Sequence, residues 1–543
     1  MHQITRNEYP LCLMGIDIGM KVPLCLLDGV TDLPYMELEE WKNLLVLLNT
    51  AGGGKPGYEL SLETDGPIAT FTRESGYTMV IDFEKNTFRF HDYNGFQQLP
   101  EMSTLLDFTT KNCFTKDGEP SLMKKTEGFS YDRYGRELLV PLGDYDIELV
   151  RQDGMYLAPL QTLNDFMMAP VGTGFNCYFN TQCLYLTNTG IPDGDPMYYA
   201  LPKGKRSEAL TKYGYNELCL MLDHLYGLKE AHEIESFDML FRQIGMKDAL
   251  LDPDAELADR LIYNLISRYI DDIHSSFGSY SWLTGNIDYK ADKGPSIARW
   301  VDHLHTYQGV RSSQYPDGVP TYEEVGNTAF LTIDNFAVAE EYEAYYGHEN
   351  KQDIPLDDTV AAIIKAHEKI TRENSPIENV VIDLSCNMGG DVDAAAFLLA
   401  WCLGKAEISL KDNLTGAVSN TEYWADVTLD RKFEESDGLA GKKLYCLISP
   451  VTFSCGNLVA NVFRQCGKVT LLGRTSGGGS CTVQPVSSAW GTSFKISATR
   501  RMSFLKNGSL YDIDRGADPD YTISTPEKYY DRKALCTFIN SLY

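Results

Sequence analysis

The sequence predicts an α/β protein, and three observations carry that reading. Residues 378–404 run from an apolar strand through a glycine turn into an apolar helix. Residues 443–467 repeat the order, and a third apolar strand follows. Successive strand–turn–helix units build a parallel sheet with crossover helices. Both turns then fall at the carboxyl ends of strands, where such sheets place their sites.

In the first unit, Val380 to Leu384 form the strand, Asn387 to Gly390 the turn, and Val392 to Leu403 the helix. Glycine in such a turn lets backbone N–H groups approach a ligand closely. In the second unit, Leu444 to Ile448 form the strand, which Ser449 and Pro450 end. Ser454 opens a helix carried by Leu458, Val459, Val462 and Phe463. Val469 to Leu472 form the next strand, and Gly473 to Gly479 a glycine-rich turn. A serine in the first turn of a helix is a common N-cap. It is also where N–H groups and the helix dipole stabilise an oxyanion.

Upstream, Leu261, Ile262, Leu265, Ile266, Tyr269, Ile270 and Ile273 keep a three-and-four spacing that predicts a helix ending at His274. An imidazole titrates near neutral pH, so His274 can take and return a proton. His303 and His305 read as surface residues. Residues 207–271 read as largely helical, behind a basic linker at Pro202 to Arg206.

The N-terminal half alternates polar and apolar residues at 77–83, 87–91, 145–150 and 177–186, which predicts strands. Segments starting at Gly29 and Asp153 each pair a tyrosine-centred strand with an amphipathic helix, suggesting an internal duplication. They resemble the small α+β modules at the N-terminus of copper amine oxidases.

The ordered motifs D-L-S-C-N-M-G-G (Asp383 to Gly390), T-F-S-C-G-N (Thr452 to Asn457) and G-R-T-S-G-G-G (Gly473 to Gly479) resemble those of the tail-specific, or C-terminal-processing, serine peptidases. The tricorn core and the interphotoreceptor retinoid-binding protein modules share that family. Tyr322 to Phe336 resembles its first core strand, and D-D-I-H-S-S-F (Asp271 to Phe277) its histidine motif. The resemblance implies a crotonase/ClpP-like β/α spiral core and hydrolysis of peptide bonds. It implies Ser454 as nucleophile, His274 as base, and Asp514 or, second, Asp512 as orienting acid. The N–H groups of Gly389 or Gly390 and of Cys455 would form the oxyanion hole, with Gly477 and Gly478 along the substrate. Members using a serine–lysine dyad carry the lysine about where this chain has Gly478, and neither Lys468 nor Lys495 falls on the motif. Cys455 is a rival nucleophile, but one helical step turns it about 100° from Ser454. Asn457 stands where many members have glutamate.

The expected organisation is N-terminal modules over 1–203, a helical lead-in over 204–285 and a peptidase-like core over 286–543. Only about forty-five residues separate His274 from Tyr322, too few for a PDZ domain. No metal or cofactor is called for. A binding protein on the same fold is the alternative, since the retinoid-binding members show that the fold need not imply proteolysis. A crotonase-like acyl-CoA enzyme would leave the histidine motif unexplained.

Composition agrees with a globular protein of several cores: 543 residues, 43% of them apolar. A net charge of −28 argues against nucleic acid or an anionic membrane as partner; the resemblance implies a peptide or protein substrate. No apolar run spans a bilayer. Residues 1–22 lack the apolar core of a signal peptide, whereas the resemblance implies the cell envelope or the exterior. The 13 cysteines are odd in number, lie mostly in apolar segments and lack metal spacing, so they read as reduced thiols. Cys177 and Cys183 are near enough in sequence for a disulfide.

Overall fold

The computed structural model describes residues 1–51, 60–97, 106, 122–125, 131–170, 174–188, 190–192, 194–199, 204–339 and 343–542. Residues 202 and 203 of the expected linker lie outside them. The fold is mixed α/β.

The heart of the C-terminal half is a six-stranded sheet in the order 322–325, 328–332, 379–383, 443–448, 469–473, 521–522. The first pair is an antiparallel hairpin, and every later pairing is parallel. The apolar runs sit here because such strands are covered on both faces. On one face Ala329, Leu331, Val380, Ile382, Cys446, Ile448 and Leu471 pack against helices. On the other, Phe330, Val381, Tyr445, Leu447 and Leu472 form a second core. The crossover helices Val392–Leu403 and Cys455–Cys466 begin and end where the periodicity places them. A serine-rich second sheet flanks this one, in the order 276–279, 493–503, 406–412, 418–425, 123–125.

The region 208–271 is helical, as expected, but the histidine does not end the helix. The α-helix Ala255–Asn264 loosens into a wider π turn over Leu265–Ile270. Asp271 then takes φ +50° and stops the helix. His274 lies in the turn that follows, and the chain enters the second sheet at Ser276–Ser279. The carboxylate of Asp271 caps the next helix, Pro295–Gln314, accepting from the N–H groups of Ser296 (2.7 Å) and Ile297 (2.9 Å).

The N-terminal half holds a seven-stranded sheet and a five-stranded antiparallel sheet. The two similar segments become strand–helix pairs, Pro34–Glu37 with Leu38–Ala51 and Met155–Pro159 with Leu160–Met167. Their strands pair antiparallel side by side, Ala158 opposite Met36. The strand expected over 145–150 is a correction. A short 3₁₀ turn occupies Leu142–Tyr145, Asp146 takes φ +56°, and the strand starts only at Val150. Cys177 and Cys183 are both unbridged. Cys177 Sγ packs 3.4 Å from Met168 Sδ, and Cys183 Sγ lies 3.4 Å from Asn180 Oδ1.

One buried acid pair joins the halves. Asp165 and Glu217 are 0% and 1% exposed. Thr162 donates to Glu217 at 2.6 Å, and Gln161 and Asn164 donate to Asp165. Gln161 also donates to the Ser487 carbonyl (3.1 Å) in the strand Cys481–Ser487. Asp165 Oδ2 and Glu217 Oε1 meet no donor, so a proton shared between the carboxyls is what satisfies them. Burial raises Glu217 to about 7, and burial together with the Glu217 charge raises Asp165 well above the carboxylate range. Folded Glu217 thus keeps a proton that the unfolded chain sheds near pH 4.5, so stability falls as pH rises from about 4.5 to 7. Glu217→Gln is expected to remove much of that fall, on the order of 3 kcal/mol. Denaturant unfolding of both proteins at pH 4.5 and 7.5 reads the difference.

Candidate active site

Two glycine turns and a strained serine meet at the carboxyl ends of the parallel strands. Ser454 caps the helix Cys455–Cys466 with φ +55° and ψ −123°, a conformation a non-glycine residue rarely adopts. Neighbours on three sides hold it there. Its N–H donates to the Gly478 carbonyl (3.0 Å), and its carbonyl accepts from Leu458 N–H (2.9 Å). Phe453 N–H donates to the Asn387 carbonyl (3.0 Å). The serine side chain is half-buried, and its hydroxyl is a hydrogen-bond neighbour of the Cys455 thiol.

The turn after Asn379–Asp383 lies directly against this serine. A Cβ on Gly389 would stand 2.6 Å from Ser454 Cβ and 3.0 Å from its Oγ, and one on Gly390 would stand 2.2 Å from the Phe336 carbonyl oxygen. Only glycine fits at either position. Gly389 N–H is taken by Asn387 Oδ1 at 2.9 Å. The N–H groups of Gly390 and Cys455 find no acceptor among the described residues.

The Cys455 thiol is not a competitor. It is buried, points to the Gly390 carbonyl (3.1 Å), and burial pushes it up to about 12.

Gly477 and Gly478 pair edge to edge with the serine segment rather than presenting a free edge. Gly477 N–H donates to the Thr452 carbonyl (2.7 Å), and Phe453 bridges Gly478 in parallel. Gly478 has φ +84°, and a Cβ there would stand 2.1 Å from the Asp514 carbonyl oxygen. The position cannot accept a lysine without moving that backbone.

His274 arrives from outside this sheet. Its turn is pinned by Asp272, whose carboxylate accepts from His274 N–H (3.1 Å), Ser275 Oγ (2.7 Å) and Ser497 Oγ (2.6 Å). The imidazole packs against the Phe453 ring, centroids 4.5 Å apart, and approaches Gly479. Its Nε2 is buried and has no hydrogen-bond partner among the described residues. Burial lowers its pKa below the ordinary 6.5, and the charges of Asp272 and Asp514 offset part of that. The ring is therefore neutral at pH 7. It makes no hydrogen bond to Ser454, the Phe453 ring being packed on it.

The acids at the far end of the chain are engaged elsewhere. Asp514 and Asp512 both pair with Arg501, which also donates to Ser480 Oγ (2.8 Å). Asp512 is 61% exposed at its side chain and does not bear on the imidazole, whereas the Asp514 charge does.

Sequence reasoning left out Asp272, Arg501, Asn387 and the part played by Asn457. Asp272 was visible in the histidine motif, two residues before the ring. Asn457 is 0% exposed and ties three segments together. It donates to the Ile513 carbonyl (2.9 Å) and accepts from Ser476 Oγ (2.8 Å) and Asn461 Nδ2 (2.9 Å).

Residues 327–523 match peptidase family S41. The S41 segment contains Ser454, both glycine turns, Asp512 and Asp514, and stops short of His274. No curated protein matches the chain. Among solved structures it is similar to a photosystem II D1 C-terminal processing protease, with 16% identity over 37% of this chain and 43% of that one, TM-score 0.27. A lipoprotein from Streptococcus agalactiae aligns at 14% identity over 61% of this chain and 96% of that one, TM-score 0.36. The tricorn protease aligns at 15% identity over 46% of this chain and 20% of that one, TM-score 0.25. The chain thus spans less than half the length of the processing protease it matches.

Asn457→Ala strips a fully buried hub of its bonds and leaves Ser476 Oγ and the Ile513 carbonyl short of partners. It is expected to cost about 3 kcal/mol in denaturant unfolding, in line with buried polar networks.

Proposed function

We propose that this chain is a serine peptidase of the tricorn-like type, on a crotonase/ClpP-like β/α spiral. Its units are N-terminal modules over 1–203, a helical lead-in over 204–285 and a core over 286–543, without a PDZ domain. The observation that carries the reading is the backbone of Ser454. A strained serine at a helix N-terminus, its hydroxyl against a double-glycine turn, is the arrangement acyl transfer calls for.

In this mechanism Ser454 Oγ attacks the peptide carbonyl. His274 takes the hydroxyl proton and returns it to the leaving amine, so an acyl-enzyme and a free amine result. Water then repeats the step and releases the acid. The oxyanion sits between the N–H groups of Gly390 and Cys455, with Gly389 supplying the clearance. A neutral, buried imidazole with an unpartnered nitrogen is poised to accept that proton. Asp514 is the acid that orients it, once Arg501 yields, and Asp272 sets the height of the turn. Catalytic hydrogen bonds often tighten only with substrate bound. No metal or cofactor takes part.

Two observations favour the second reading, a binding protein on the same fold: His274 and Ser454 are not hydrogen-bonded, and Arg501 holds both candidate acids.

A fluorophosphonate probe decides between them. Labelling is expected at Ser454 and is expected to fall at least about 100-fold in His274→Ala. Its acid limb should lie below pH 6.5, because burial lowers the imidazole. A folded protein that resists the probe at every pH would establish the binding reading instead.

A further inference from the structure

The helix Pro295–Gln314 lies across the mouth of the parallel sheet, and one of its faces points inward. Trp300, His303 and Tyr307 are three and four residues apart and share that face. Trp300 sits over Phe453, the residue before the serine, with ring centroids 6.1 Å apart. Its indole Nε1 is out of solvent and has no acceptor among the described residues. Seven residues on, about 10 Å along the axis, Tyr307 stacks edge-on against Tyr529 and meets the side chain of Arg474.

Arg474 follows directly on the strand Val469–Gly473 and precedes the glycine turn that pairs with Ser454. Its side chain is exposed, and no carboxylate lies within salt-bridge distance among the described residues. That is notable in a chain with 76 acidic against 48 basic residues. Arg299 stands nearby, and the two guanidinium groups reinforce burial in keeping His303 neutral at pH 7. Asp302, beside His303, supplies the one opposing charge felt there. The mouth therefore carries two guanidinium groups beside His303 and an aromatic wall over Phe453.

We propose that Arg474 is a specificity residue that binds a carboxylate of the substrate peptide about three residues from the reacting bond. The spacing follows from the span along the helix and the rise of an extended peptide, about 3.3 Å per residue. An arginine fork suits a carboxylate, and a carboxylate is not repelled there as it would be by the rest of this acidic surface. The carboxylate is either an acidic side chain or the free chain terminus. This deepens the peptidase reading and rests on it for the position of the reacting bond.

The test uses the full chain carrying Ser454→Ala, so that binding is read without turnover. Fluorescein-labelled hexapeptides of alanine and leucine carry glutamate or glutamine at each position with an amidated end, or glutamine with a free or amidated end. Anisotropy titration is expected to show a carboxylate bound about 10- to 100-fold tighter than its amide at one position. Adding Arg474→Ala should bring that ratio to about one, Arg474→Lys should keep part of it, and Arg474→Glu should turn the preference to lysine. Which arm shows the ratio, internal glutamate or free end, identifies the source. Equal binding of acid and amide, a ratio that survives Arg474→Ala, or no binding by any peptide overturns the proposal. Failure of the peptidase reading shows separately, as wild-type protein that the fluorophosphonate does not label.

Discussion

The site depends on one antiparallel pairing. Ser276–Ser279 lies beside the start of Ser493–Ser503, and the buried Asp272 carboxylate clamps the join through Ser275 and Ser497. The pairing closes a loop of more than two hundred residues, and it is what places an imidazole from the lead-in above a turn of the core. Closing so long a loop costs only modestly more entropy than closing a short one. Four residues of ladder and a three-way carboxylate anchor can therefore hold it. A carboxylate accepting several hydrogen bonds in a buried site is strong when whole and costly when broken. The position of His274 thus rests on Asp272 rather than on the helix before it.

The second constraint is steric. Gly389, Gly390 and Gly478 each occupy a backbone conformation and a space that exclude any side chain. Gly389 and Gly478 thereby bring both glycine turns into contact with one serine. The tight packing leaves Ser454 only a strained conformation, at a cost of about 1–3 kcal/mol. The surrounding hydrogen bonds offset that cost. The same crowding acts at position 478, where the Asp514 carbonyl fills the volume a side chain would need.

Much of this was legible in the sequence. The parallel strands, the two crossover helices and both glycine turns follow from apolar runs of strand length and from glycine punctuation, and the structure sets their bounds within a residue or two. The 145–150 segment failed because alternation alone does not reveal a left-handed residue such as Asp146. The end of the lead-in helix failed for a related reason. Its apolar spacing continues to Ile273, but Asp271 leaves the helix to cap another one, a tertiary contact that no local pattern encodes. Arg501, Asn387 and Asn457 were silent for the same cause. Each has a partner far along the chain: Asp512 for Arg501, Ile333 for Asn387 and Ile513 for Asn457.

Asp271 has a mechanical meaning. Its backbone begins the turn that holds the imidazole, while its carboxylate grips the first N–H groups of the helix spanning the sheet's mouth. Lever and load are then one piece: tilting that helix outward would drag the imidazole with it. The helix over the mouth is therefore a fixed beam rather than a door that swings.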